Sequence, residues 1–214
     1  MPPTIARSNG LTTAIIIFAV EPSRQADLLA NIERFLMATV QYQAGFVSAT
    51  LHKSLDGARV VNYAQWRTEA DYDAFVRNSE VQAATGWLSL FAPSDSRLYA
   101  VAASEPESPG TVLAPHTGVL ADVAVFKTTP DTQEQALAMA CEAIDLLRLR
   151  PGFVSTHIHR SFDGTRVIGY SQWRSESDFR SVTGDLPAPI RKLFAAAEYE
   201  AQPALFDVAL VWPN

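Results

Sequence analysis

Asn62 and Trp66 are the residues whose types and spacing point most directly to chemistry. They fall in the run Arg59-Val60-Val61-Asn62-Tyr63-Ala64-Gln65-Trp66, whose β-branched and aromatic content predicts a strand. Side chains alternate along a strand, so Val60, Asn62, Ala64 and Trp66 share one face, and Val61, Tyr63, Gln65 and Arg67 share the other. Four strand residues span roughly 13 Å, so an amide and an indole at this spacing could bracket a flat ligand. Asn offers two donors and an acceptor; indole offers one donor and a broad apolar face. A tryptophan in a strand is more often core than catalyst, and spacing alone leaves both uses open.

The elements that must position these residues occur twice. Gly45 to Phe75 and Gly152 to Val182 align without a gap, 107 residues apart in a chain of 214, and about half of the paired positions are identical. Two repeats of this size argue for a duplicated domain, since a solenoid needs at least three. In the first half, Thr12–Val20 predicts a strand and Pro22-Ser23 opens a helix carrying Leu28, Leu29, Ile32, Phe35 and Leu36. Phe46–Leu55 and Arg59–Trp66 then form a hairpin about Asp56-Gly57, helices run from Thr68 to about Leu90, and Arg97–Ala103 is a last strand. The second half repeats the order. A strand lies near Val119–Phe126, Asp131 is expected to cap a helix carrying Ala136 to Leu149, and a hairpin turns at Asp163-Gly164. Helices follow from Ser175 to about Glu198, and Phe206–Trp212 closes the half as a strand. The order βαββα(α)β predicts two tandem α+β ferredoxin-like domains. Residues 1–105 are expected to form one and 117–214 the other, with 106–116 as the linker. Helices cover one face of each sheet, so the bare faces should pack together as a pseudo-dimer within one chain.

Composition excludes other classes. Apolar residues make up 48% and charged residues 19%, with 17 Lys+Arg against 23 Asp+Glu, a net charge of −6. No basic cluster suggests nucleic acid. Cys141 is the single cysteine, which excludes an internal disulfide and a Cys-rich zinc module and points to a reducing, cytoplasmic setting. The run Ala14–Val20 is too short to span a bilayer, and Glu21, Pro22 and Arg24 stand where a signal cleavage site would need small residues.

Other notable residues have plainer uses. His157 and His159 lie two apart on one strand face and could ligate a metal, but no carboxylate or third histidine joins them, and Thr50 replaces His157 in the first half. No metal is expected; these histidines and His52, the counterpart of His159, are expected to be solvated. Turns account for Asp56 and Asp163. Ion pairs at strand ends or between halves account for Arg59, Arg166, Arg67 and Arg174. Met37 and Met139 are expected in the core.

The string Gly45-Phe46-Val47-Ser48-Ala49-Thr50, then His52, Asp56-Gly57 and Val60 through Trp66, resembles the antibiotic biosynthesis monooxygenase superfamily, most of all its quinone-forming members. The resemblance covers both halves and is densest in the hairpin. It implies ferredoxin-like domains whose sheets form a shared barrel, and oxidation of electron-rich polycyclic phenols or anthrones of polyketide type by O2, with no cofactor. It also implies that Asn62, Trp66 and Tyr72 are catalytic, and that Leu51, His52, Trp87 and, in the second half, Trp173 contact substrate. Leu51 and Ile158 stand where the family has a tyrosine. The family's cavity-lining arginine is not evident, and Ala84-Thr85-Gly86-Trp87 lies near its expected place. In the second half Gly169 replaces the asparagine and Phe179 replaces Tyr72, so hydrogen-bonding groups are lost.

The expectation is therefore a cofactor-independent monooxygenase with its active site in the first half, the second half being structural or binding a different ligand. Its partners would be a small aromatic substrate and O2, with neither nucleic acid nor membrane; further association of chains stays open. A non-catalytic aromatic-binding or partner-stabilising protein is the alternative. A haem-binding relative is disfavoured, because no histidine occurs between Thr68 and Leu90 or between Ser175 and Glu200.

Overall fold

A computed structural model describes residues 2–196, 198–199 and 204–213. The first half runs β1 (Thr4–Ile5), β2 (Thr12–Ala19), α1 (Gln25–Ala38), β3 (Phe46–Ser54), β4 (Arg59–Trp66), α2 (Glu69–Arg77), α3 (Ser79–Ala84), a 3-10 turn (Gly86–Leu90) and β5 (Asp95–Glu105). The second runs β6 (Thr111–Val112), β7 (Leu120–Lys127), α4 (Gln133–Leu147), β8 (Phe153–Ser161), β9 (Arg166–Trp173), α5 (Glu176–Gly184), α6 (Ala188–Ala196), β10 (Glu198–Tyr199) and β11 (Leu205–Trp212). The helices anticipated as far as Glu198 end at Ala196 among the described residues.

Local chemistry explains the repeated motifs. At the β3–β4 turn Ser54 Oγ donates to Asp56 Oδ1 at 2.6 Å, and the Ala58 N–H donates to the same oxygen at 2.9 Å. Ser161, Asp163 and Thr165 repeat this arrangement. Gly45 and Gly152 have φ of 78° and 73°, and an added Cβ would lie 2.2 Å from Asp71 and 2.1 Å from Asp178 respectively. Only glycine allows this backbone and this approach. The contact seats α2 and α5, whose first turns are capped by Thr68 and Ser175 through the Asp71 and Asp178 N–H groups. Asp131 does not cap α4. Thr132 precedes that helix without a side-chain cap, and its Oγ1 instead accepts from the Thr129 N–H at 2.9 Å.

The two sheets do more than face each other. Eight antiparallel strands close into one barrel in the order β7-β11-β3-β4-β2-β5-β8-β9, with β9 returning to β7. Each half lends its last strand to the other: β5 pairs with β8, and β11 pairs with β3. Inside pack Ile15, Val61, Tyr63, Tyr99, Val125, Ile168, Tyr170 and Phe206, together with Ile5 and Leu113 from the paired short strand β1 and the residue after β6. Leu113 lies in the span read as linker and is fully buried. The helices cover the outside.

Several expectations change. His52, His157 and His159 are not solvated; all three are fully buried. They sit on the inward faces of β3 and β8, where Tyr63 Oη lies 2.9 Å from His159 Nε2, and His157 Nδ1 lies 3.0 Å from Ser104 Oγ. Met37 is 46% exposed rather than core, whereas Met139 packs against the apolar cluster under α4. Ion pairs do join the halves, with Arg166 3.6 Å from Asp95 and Arg97 3.2 Å from Asp163. Among the described residues, no helix is long and apolar enough to cross a membrane.

Candidate active site

A run of small side chains opens space between the first half-sheet and its helices. Ala14 and Ala49 both pair with Ala64, so three alanines lie side by side on the outer face of β2, β4 and β3. Above them lies a cavity of about 340 Å³. Ile16, Leu51, Asn62 and Trp66 help form its floor, and Phe35, Tyr72, Phe75 and Trp87 come over it from α1, α2 and the 3-10 turn. The aromatic walls brace one another: the Trp66 ring lies 4.9 Å from Phe75 and 5.5 Å from Tyr72, and Trp87 lies 6.1 Å from Phe35.

Three residues that line this space each carry a buried polar atom without a protein partner: Asn62 Oδ1, Trp66 Nε1 and Trp87 Nε1. Buried polar groups are normally satisfied, so these three are open to a ligand's polar groups. Tyr72 Oη lies 3.3 Å from Ser96 Oγ, which also lines the cavity. Burial pushes the Tyr72 hydroxyl above its ordinary value, the Ser96 bond opposes that, and the Asp73 charge adds to it. The phenol therefore stays protonated at neutral pH. Among the described residues, no Asp, Glu, His, Lys or Arg lines the cavity, so the enclosure is donor-rich but lacks a strong base.

The structure brings Asn62, Trp66, Tyr72, Leu51 and Trp87 to one cavity, although they come from four separate elements. It excludes His52. Leu51 and His52 are adjacent on β3, so alternation sends Leu51 out to the cavity and His52 into the barrel, where its Nε2 lies 2.9 Å from Tyr170 Oη. Trp173 lines a separate pocket of about 80 Å³ in the second half, along with Gly169 and Phe179. Trp87, expected to contact substrate, supplies a buried donor near the place expected for the family's arginine. One feature escaped the sequence reading: Asp122, a carboxyl in the second pocket, stands within an apolar run that reads simply as strand.

Comparison with known proteins follows this division. Residues 12–87 and 120–184 each match the family described as Antibiotic biosynthesis monooxygenase. Over 79 residues, 37% of this chain and 70% of the relative, the sequence is 42% identical to Tetracenomycin-F1 monooxygenase of Streptomyces glaucescens. The crystal structure of an anthrone oxidase-like protein superposes with a TM-score of 0.84 at 21% identity, covering 98% of this chain and 95% of that one. A monooxygenase-like protein from Listeria innocua superposes at 0.53 with 12% identity, covering 94% and 96%. At these identities the two structural likenesses establish the tandem fold and nothing finer.

Proposed function

The chain belongs to the antibiotic biosynthesis monooxygenase family, and on that footing we propose that its first-half cavity converts an electron-rich polycyclic phenol or anthrone of polyketide type to a quinone, using O2. The observation that carries this reading is the set of unpartnered polar atoms of Asn62, Trp66 and Trp87 around an apolar space of about 340 Å³. The 42% identity to Tetracenomycin-F1 monooxygenase supports it.

O2 reacts slowly with closed-shell organic molecules, and a cofactor commonly removes that obstacle. An ionised phenol or anthrone removes it unaided, because the anion is a good one-electron donor. The protein's task is then to favour the anion and exclude water. The Trp66 and Trp87 indole N–H groups would donate to the oxyanion, while Asn62 Oδ1 would accept from a substrate hydroxyl, and such groups act most strongly in an apolar enclosure. With no base among the described residues of the cavity, the substrate's own acidity supplies much of the ionisation, and the Tyr72 hydroxyl on Ser96 orients or relays the proton. One electron passes to O2, and the radical pair joins as a carbon–oxygen bond, giving a hydroperoxide. Loss of water leaves the new carbonyl. One oxygen atom of O2 enters the product, and the other leaves in water with two substrate hydrogens.

Isotopically labelled O2 tests this. The new carbonyl should carry one labelled oxygen; a carbonyl whose oxygen comes from water would contradict the reading.

A further inference from the structure

The second half does more than lose polar groups; it moves them. Thr12 and Leu120 pair with Trp66 and Trp173 respectively, so Asp122 occupies the register held by Ala14 in the first half. The alanine row Ala14, Ala64, Ala49 thus becomes Asp122, Ser171, Thr156, three polar residues side by side across β7, β9 and β8. Ser171 and Thr156 satisfy each other, their hydroxyl oxygens 2.8 Å apart. Asp122 Oδ1 and Trp173 Nε1 are both buried without a protein partner, and both residues line the second pocket.

An acceptor on β7 and a donor two register positions away on β9 complement a group that both donates and accepts, which is a hydroxyl. The walls facing them are apolar and partly aromatic, with Phe179, Ile190, Leu193 and Phe194. At about 80 Å³ against about 340 Å³, the second pocket is far too small for a polycycle. A carboxylate also repels an anion, whereas the first cavity presents donors that favour one. We propose that the second half holds a separate binding site for a small, uncharged single-ring phenol, whose hydroxyl donates to the Asp122 carboxyl and accepts from the Trp173 indole N–H. This site is chemically distinct from the first cavity and does not depend on the reaction assigned there.

Burial without a compensating partner pushes the Asp122 carboxyl up to about 7. No other residue that β7, β8, β9, α4, α5 or α6 contributes to the pocket is titratable, among the described residues. Occupancy should therefore respond to pH through this one group.

The test is a fluorine NMR titration of the full-length protein with 4-fluorophenol. One bound resonance should survive Asn62→Ala and weaken at least tenfold in Asp122→Ala, a change that installs the residue the first half already carries at that register. In the unsubstituted protein that resonance should shift with a midpoint below the empty pocket's value of about 7, because the phenol hydroxyl donates to the ionised carboxyl, and Asp122→Asn should abolish the shift. A bound population indifferent to both Asp122 substitutions, or no bound population in the folded protein, overturns the proposal.

Discussion

The hydroxyl of Tyr63 lies 2.9 Å from Nε2 of His159, 96 residues further along the chain. His52 and Tyr170 form the counterpart pair, also at 2.9 Å, so each half gives one tyrosine and one histidine to a crossed pair of bonds in the barrel. His159 Nδ1 lies 3.2 Å from the His157 carbonyl oxygen; donation there leaves Nε2 to accept from the Tyr63 hydroxyl. Two polar pairs inside an apolar barrel fix how the halves meet, because a slipped arrangement would strand the four groups that they join.

Tyr63→Phe strands the His159 acceptor and should cost roughly 1–3 kcal/mol in urea unfolding, the usual penalty for a buried group left unpaired. A loss below a few tenths of a kcal/mol would mean that the crossed pairs do not hold the halves together.

Acid should destabilise the fold well before its surface carboxylates protonate. Burial lowers His52 and His159 to about 4 and His157 to about 3, from about 6.5. Below pH 6.5 the unfolded chain therefore binds more protons than the folded one, and stability falls as pH drops towards 4, by up to roughly 1.4 kcal/mol per pH unit for each histidine. Asp122, raised to about 7, works the other way, since its folded form takes up the extra proton in that range. Three histidines outweigh one carboxyl. Unfolding midpoints measured from pH 7 to 4 should fall; a flat or rising profile would contradict the burial argument.

Gly45→Ala should lower stability by more than about 1 kcal/mol, because it adds a positive-φ penalty to a clash with Asp71. A thermal melt reads this directly, and an unchanged melting temperature would refute the seating of α2 by Gly45.

Trp66→Phe and Trp87→Phe keep the aromatic walls and remove one donor each. Each should lower kcat/KM by about tenfold or more, roughly 1.4 kcal/mol of transition-state stabilisation. Tyr72→Phe should cost less, because the Tyr72 hydroxyl already has Ser96 as a partner.

Separating the chain near Pro109 should leave neither half soluble as a monomer, since each would lose the partner of its inner face and a strand-edge neighbour. Sedimentation of the separate halves checks this; two well-behaved monomers would refute the shared barrel.

Much of this was legible in local chemistry. The duplicated Gly-Phe-Val-Ser and Asp-Gly motifs mark turns and seats whose causes lie within a few residues, and strand alternation correctly sent Asn62 and Trp66 to one face. The same alternation, applied to β3, separates Leu51 from His52, which the family resemblance had placed together. What sequence could not supply was pairing across the barrel. Nothing near Tyr63 announces a partner 96 residues away, and a histidine in a strand looks solvated until the opposite wall is known. Asp122 stayed hidden because the hairpin repeat begins at Gly45 and leaves the first strands unaligned, so the Ala14-to-Asp122 exchange appears only through the register with Trp66 and Trp173.

The most direct test of the central claim is O2 uptake by chelator-treated protein given a panel of anthrones and dihydroxynaphthalenes, with wild type beside Asn62→Ala. We predict quinone formation that survives the chelator and falls at least tenfold in Asn62→Ala while the fold stays intact. Turnover indifferent to Asn62, or absent across the panel although the same aromatics bind, would contradict the account.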